Sequence, residues 1–262
     1  MDRMNLLVCD LDGTLLGDDR ALADFADWYA GAKALFRLVY ASGRFVDSIC
    51  ESINDSQLPD PDAIVGGVGT QIYDVLAGRQ LPMWPPSTLE WNPDQVRAVC
   101  ASHAELIPQP EHLLSFYKVS YYGVELDQLF LANLEHQLAA AGQRVTIVYS
   151  SNRDLDILPA EANKGSAIAH LSSHWKIESR RVIVAGDSGN DLAMFEAGFR
   201  GIVVSNARQE LLSLDAPDVY HASAPYAHGV LEGLGYWLAT DDYAIKCDRS
   251  SMGQVAGRGT RG

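Results

Sequence analysis

The sequence predicts an α/β protein: a Rossmann-like parallel-sheet core interrupted by an inserted α+β module. Two observations carry this. Toward both ends of the chain, short apolar runs alternate with segments of helical period, the order of parallel strands joined by right-handed crossovers. Between them, a stretch containing Pro82, Pro85, Pro86 and Pro93 breaks the alternation, and a different order follows.

Residues 5–9, Asn-Leu-Leu-Val-Cys, read as a buried strand. Residues 20–33 carry Leu22, Phe25, Ala26 and Tyr29 at helical spacing. Residues 35–40 form a second strand, 45–53 a helix and 63–65 a third short strand. After the proline-rich break, 93–105 and 126–141 read as helices and 117–122 as a strand. Residues 145–150 and 154–158 read as a hairpin turning at Ser151-Asn152-Arg153. The first pattern then resumes with a helix from Lys164 to Trp175 and strands at 181–185 and 201–204. The expected organisation is a core over 1–80 and 159–240, an inserted module over 81–158, and a polar Gly/Arg-rich tail without regular structure over 241–262.

The chain has 262 residues, 47% hydrophobic and 21% charged, which allows one sizeable core and a companion module. Its formal net charge of −14 argues against a general binder of nucleic acid or anionic membranes. An anionic substrate would need a local site opposing that field. None of Cys9, Cys50, Cys100 and Cys247 forms a C-x-x-C pair, which fits a reducing cytoplasm better than a disulfide scaffold. No apolar run approaches the roughly 18–20 residues of a membrane helix, and no signal peptide is evident.

The strand ends carry the chemistry. Asp10 and Asp12 follow the first strand, Ser42 the second, and Asp187, Ser188, Asn190 and Asp191 a later one. In an open parallel sheet such ends converge beside the topological switch point. Two carboxylates at a strand end repel unless a cation or a shared proton relieves them. Asp10, Asp12 and Asp187 are hard oxygen ligands suited to Mg²⁺. Lys164 adds a fixed positive charge, and Ser42 with the amides of Gly43 and Arg44 can hold an anionic oxygen. Such a set suits phosphoryl transfer, which is mostly positioning and charge neutralisation. Asp10, the better fixed, can attack phosphorus, and Asp12 can protonate the leaving oxygen and then deprotonate water.

Four segments, "DLDGTL", "SGR", "NKG" and "GDSGND", occur in this order. They resemble the four motifs of the haloacid dehalogenase superfamily, and the insertion resembles its C2-type cap. Within that superfamily, "GVGTQIY", "YKVSYY", "DLDILPAEANKGSA", "GDSGNDLAMFE" and "GIVVSNARQELL" are similar to stretches of the sucrose-phosphate phosphatases. The resemblance covers roughly residues 5–238 and implies Mg²⁺-dependent hydrolysis of a disaccharide phosphate, sucrose 6-phosphate foremost, through an aspartyl-phosphate. Mannosylfructose-phosphate phosphatases share the same motifs. It implies Asp10 as nucleophile and metal ligand, and Asp12 as acid/base and metal ligand through its carbonyl. Ser42 would hold phosphate, and Lys164 the phosphoryl group. Asp187 would complete the metal shell, supported by Asn190 and Asp191. Sugar contacts are implied for Arg44, the Gly69-Thr70-Gln71 loop, Lys118 and Asn163. A matching sugar-phosphate synthase is the implied protein partner.

Other readings bear on the same residues. A receiver-like phospho-switch also gathers carboxylates, Mg²⁺ and Lys, but needs neither Asp12 nor an insertion. A phosphosugar mutase would use the same nucleophile and return the phosphoryl group to sugar. Trp84, Trp91, Tyr117 and Tyr121 fit a module core better than sugar stacking. His170 and His174 have the i,i+4 spacing of metal ligands without a third partner, and read as a polar helix face. Gly67-Val68-Gly69 lacks the third glycine of a dinucleotide loop.

Overall fold

The computed structural model describes residues 4–85 and 90–255, with side chains to residue 240. Its elements run β1 (Asn5–Cys9), α1 (Asp19–Ala32), β2 (Phe36–Ala41), α2 (Val46–Asp55), β3 (Ala63–Gly66), β4 (Gln71–Asp74) and β5 (Arg79–Gln80). Next come α3 (Pro93–Cys100), β6 (Ile107–Pro108), β7 (Val119–Tyr122), α4 (Gln128–Ala140), β8 (Val145–Ser150) and β9 (Asp154–Pro159). The chain ends with α5 (Lys164–His174), β10 (Val182–Gly186), α6 (Leu192–Glu196), β11 (Arg200–Val203), α7 (Gln209–Leu212), β12 (Val219–His221) and α8 (Tyr226–Val255).

Eight strands form one sheet in the order β12-β11-β10-β1-β2-β3-β4-β5. From β12 to β3 every pairing is parallel, and β4 and β5 add an antiparallel edge. Leu6, Leu7, Val8 and Cys9 of β1 are wholly buried, as a central strand covered on both faces requires. The helix α1 starts where Asp18 Oδ1 accepts from the amides of Arg20 and Ala21, at 2.9 and 3.0 Å. Its buried stripe is Ala21, Leu22, Phe25 and Tyr29. Chain order reverses on either side of β1, toward β2 and toward β10. The switch point therefore lies beside Asp10, with the ends of β2 and β10 next to it.

Between β5 and α5 lies a second sheet, antiparallel, in the order β6-β7-β9-β8. Trp91, Val96, Leu134, Leu138, Leu155 and Ile157 form its own buried core with α3 and α4. A small cluster of Val68, Leu158 and Ala162 joins this cap to the larger sheet. Ser151 and Asn152 turn the β8–β9 hairpin with φ of 54° and 53°.

Two expectations need correction, and four short strands are not read from the sequence. The helix expected over 93–105 ends at Cys100. Ser102 Oγ donates to the Val99 carbonyl and the His103 amide to that of Cys100, closing a turn instead. Strands β4, β5, β6 and β12, two to four residues each, are too short to show a period. Finally, α8 is assigned to Val255, through the first part of the segment read as an irregular tail, and 256–262 lie outside the described residues. Within the described residues no helix is long and apolar enough to cross a membrane.

Candidate active site

The ends of β1, β2 and β10 face the cap across a cavity of about 440 Å³. The core lines it with Asp10, Asp12, Ser42, Gly43, Arg44, Asp187, Ser188, Asn190 and Arg208. The cap contributes Gln109, Leu113, Lys118, Ser150, Ser151, Asp154 and Asp156.

At its floor, Asp10 is fixed by its amide, which donates to the Ala185 carbonyl of β10 at 3.0 Å. Lys164, wholly buried at the start of α5, donates to Asp10 Oδ1 at 2.7 Å, Asn190 Oδ1 at 2.8 Å and Asp191 Oδ1 at 2.5 Å. Its three protons are thereby used. Burial pulls the amine down, but Asp10 and Asp191 more than offset it, so Lys164 stays cationic. Asp191 Oδ2 accepts from the amides of Asp187 and Ser188 at 3.0 and 3.2 Å. Asp191 thus anchors the lysine and the loop, and one of its oxygens also belongs to the carboxylate group that could hold a metal ion.

One oxygen from each of Asp10, Asp187 and Asp191 lies within 4.8 Å of the others. Three carboxylates therefore face a single ammonium. Burial, then Asp191, pushes Asp187 up to about 7. Burial, then Asp191, holds Asp10 well above the usual carboxylate range despite Lys164. Asp187 Oδ1 is buried and has no hydrogen-bond partner. An orphaned carboxylate oxygen beside a like charge is what a hard divalent cation would satisfy. Gly13 permits the crowding. Its φ is +85°, and a Cβ there would stand 2.4 Å from Asp187 Oδ2.

The carboxylate of Asp12 lies outside that cluster, gripped by the Arg44 guanidinium. Ser42, 1% exposed, accepts from the Arg44 amide at 3.2 Å, so of the two amides expected to hold an anion one is already bonded. Nor does Ser42 cap α2. The cap position is Phe45, and Gln71 Oε1 takes the Val46 amide at 3.1 Å. Lys118, 5% exposed, reaches in from just before β7, paired with Asp156 at 3.1 Å and set over the Phe45 ring at 5.5 Å.

Four expected contacts are not among the lining residues. Gly69 is pressed against the Asn163 backbone, and its carbonyl accepts from Trp84 Nε1 at 2.8 Å. Thr70 Oγ1 donates to the Gly67 carbonyl, and Gln71 is spent on Val46. Asn163 caps α5 by accepting from the Ser166 amide at 2.9 Å. In this structure these residues shape and fasten the floor. Trp91 and Tyr121 lie in the cap core, as expected, and Trp84 packs on His170. His170 and His174 belong to no metal-binding group among the described residues. Sequence reasoning missed Gln109, Ser150, Ser151, Asp154, Asp156 and Arg208. For the hairpin the sequence shows only the alternation: Asp154 and Asp156 alternate with Leu155 and Ile157 of the cap core, hence lie on the opposite face, with nothing to say what that face meets.

A family profile, Sucrose-6F-phosphate phosphohydrolase, matches residues 3–238. Mannosylfructose-phosphate phosphatase of Agrobacterium fabrum is 38% identical over 243 residues, covering 90% of this chain and 98% of that one. Sucrose-phosphatase 1 of Nicotiana tabacum is 31% identical over 250 residues, which are 88% of this chain but 59% of that longer protein. Among solved structures, the sucrose-phosphatase of Synechocystis, in complex with sucrose and phosphate, superposes with a TM-score of 0.84 at 31% identity, covering 90% and 98% of the two chains.

Proposed function

Because this chain belongs to the Sucrose-6F-phosphate phosphohydrolase family, a branch of the haloacid dehalogenase superfamily, we propose that it hydrolyses a disaccharide phosphate, sucrose 6-phosphate first, and that Asp10 is the nucleophile. The observation that carries the reading is the buried contact between Lys164 Nζ and Asp10 Oδ1 at 2.7 Å, made by residues 154 positions apart. A structural sheet has no need of a buried ammonium among three carboxylates, since burying charge is costly.

In this reading Asp10 attacks phosphorus with Oδ2, which accepts no hydrogen bond among the described residues, while Lys164 holds Oδ1 in place. Ser42 and the Gly43 amide orient phosphoryl oxygens at the end of β2. Asp12 protonates the departing sugar oxygen and afterwards takes a proton from the attacking water, help worth about 10²–10⁴-fold. Mg²⁺ would be held by Asp10, Asp187 and the Asp12 carbonyl, and its chemistry is to neutralise phosphoryl charge. Gln109, Lys118, Ser150 and Asp154 face the same cavity from the cap and offer hydrogen bonds to sugar hydroxyls.

A second substrate, mannosylfructose phosphate, is favoured by the higher identity with the Agrobacterium phosphatase, 38% against 31%. The test is phosphate release from sucrose 6-phosphate, mannosylfructose phosphate and monosaccharide phosphates, each with and without Mg²⁺. A disaccharide phosphate should exceed every monosaccharide phosphate in kcat/KM, and only with the metal. Asp10→Asn should release no phosphate while keeping its circular dichroism spectrum. Monosaccharide phosphates as the best substrates, or an active Asp10→Asn, would overturn the reading.

A further inference from the structure

Arg44 and Asp12 are both needed at the site, yet they occupy each other. Arg44 Nε donates to Asp12 Oδ2 at 2.7 Å, and Nη2 donates to Oδ1. This is the two-pronged fit of guanidinium to carboxylate. The third arm, Nη1, donates to Ser52 Oγ in α2 at 2.7 Å, and Ser52 Oγ donates to the Ser48 carbonyl at 3.0 Å. The guanidinium is therefore held from three sides with no ligand present.

Position matters as much as pairing. Asp12 lines the cavity beside Asp10, but its oxygens stand outside the cluster of Asp10, Asp187 and Asp191. To hand a proton to an oxygen leaving a phosphoryl group on Asp10, it must leave Arg44. Arg44, for its part, cannot grip a sugar phosphate with a fork that is already full. The Asp12 and Arg44 side chains are 54% and 36% exposed. An ion pair so placed biases its equilibrium by no more than about fivefold, which a ligand rich in anionic and hydroxyl oxygens can overcome.

We propose that Arg44 is a specificity-determining residue that parks Asp12 in the free enzyme and releases it when a sugar phosphate takes the guanidinium. Ser52 is a positioning residue, acting through Arg44. Esters that present no oxygens to Arg44 leave Asp12 parked and turn over slowly even when they bind. The proposal rests on the phosphatase reading, with Asp12 as the acid.

The experiment compares wild type, Arg44→Met and Ser52→Ala on sucrose 6-phosphate and on phenyl phosphate, whose leaving oxygen needs a proton but carries no sugar. In Arg44→Met, kcat for phenyl phosphate should rise by about two- to fivefold, the bias removed. With the sugar ester, kcat/KM should fall by about tenfold or more, as a charged hydrogen bond is lost. Ser52→Ala, which touches no substrate, should shift the same ratio in the same direction by less, and it serves if Arg44→Met does not fold. Unchanged or reduced turnover of phenyl phosphate in the soluble variants sinks the proposal, because a plain substrate contact or a structural arginine predicts no gain. A wild type that hydrolyses neither ester removes the phosphatase reading, and the proposal with it.

Discussion

Lys164 shows how one residue sets the tolerance of the site to change. A buried ammonium survives only when its partners replace water. Here the replacement is complete, with Asp10, Asn190 and Asp191 taking one proton each. The partners are not equal, however. Asp191 is wholly buried and also holds the amides of Asp187 and Ser188, whereas Asn190 is only half-buried. In Asp191→Asn, one side of the new amide must present N–H groups either to the ammonium or to the two backbone amides. Breaking a buried ionic contact in this way costs about 3–5 kcal/mol. Asn190→Ala removes one hydrogen bond that water can replace, for about 1 kcal/mol. Urea unfolding of both variants checks the order. Equal midpoints for Asp191→Asn and wild type would remove Asp191 from the role of anchor.

At the scale of elements, legibility in the sequence followed length and burial. The strand β1 and the β8–β9 hairpin are readable because several consecutive residues obey one pattern between clear breaks. Four shorter strands are not, since two to four residues define no period. The catalytic floor was legible because a parallel sheet delivers its strand ends to one place. The cap's contribution was not, because the pattern of β8 and β9 tells which residues alternate but not that Ser150 and Asp154 face the core. The loop before β4 is a related case. "GVGTQ" has the composition of a ligand loop, but in this structure its polar groups are bonded within the floor. Gly69 has φ of +102°, and a Cβ there would lie 2.1 Å from the Asn163 carbonyl carbon, one residue before Lys164. Gly69→Ala therefore combines backbone strain of about 1–3 kcal/mol with overpacking of about 1–3 kcal/mol, and it pushes on the residue that carries the ammonium. We expect a lower melting temperature and a fall in kcat with little change in KM. Gly78→Ala is the control, with φ of +64° and open space around it, so strain alone applies. Should the two variants melt together, the contact between loop and α5 has no mechanical weight.

For the whole molecule, the acidic site couples stability to pH and to cations. The chain carries a net charge of −14 and yet gathers Arg44, Lys118 and Arg208 at one cavity, with Lys164 buried beneath Asp10 at its floor. Its floor nevertheless remains short of positive charge. Asp187 sits at about 7 against an unfolded value of 3.8, because of burial and then Asp191, and Asp10 is shifted in the same direction. The sign follows directly. A carboxyl whose folded pKa is raised binds its proton more tightly in the folded state, so its contribution to stability is fully present below the unfolded pKa. That contribution is lost as pH climbs through the folded value. Between about pH 4 and 7 the metal-free protein should therefore lose stability at this site, at up to about 1.4 kcal/mol for each pH unit per carboxyl. A divalent cation reverses the sign by favouring the ionised form, and any ligand that binds only the folded state raises the melting temperature. Added Mg²⁺ should thus raise the melting temperature more at about pH 8 than at about pH 5, and sodium chloride of equal ionic strength should not. Asp187→Asn removes one of the two raised carboxyls and the orphaned oxygen, so its metal-free melting temperature should change less with pH and its response to Mg²⁺ should shrink. A magnesium response equal at both pH values, or one that Asp187→Asn leaves intact, would mean that the buried carboxylates are not where the cation acts.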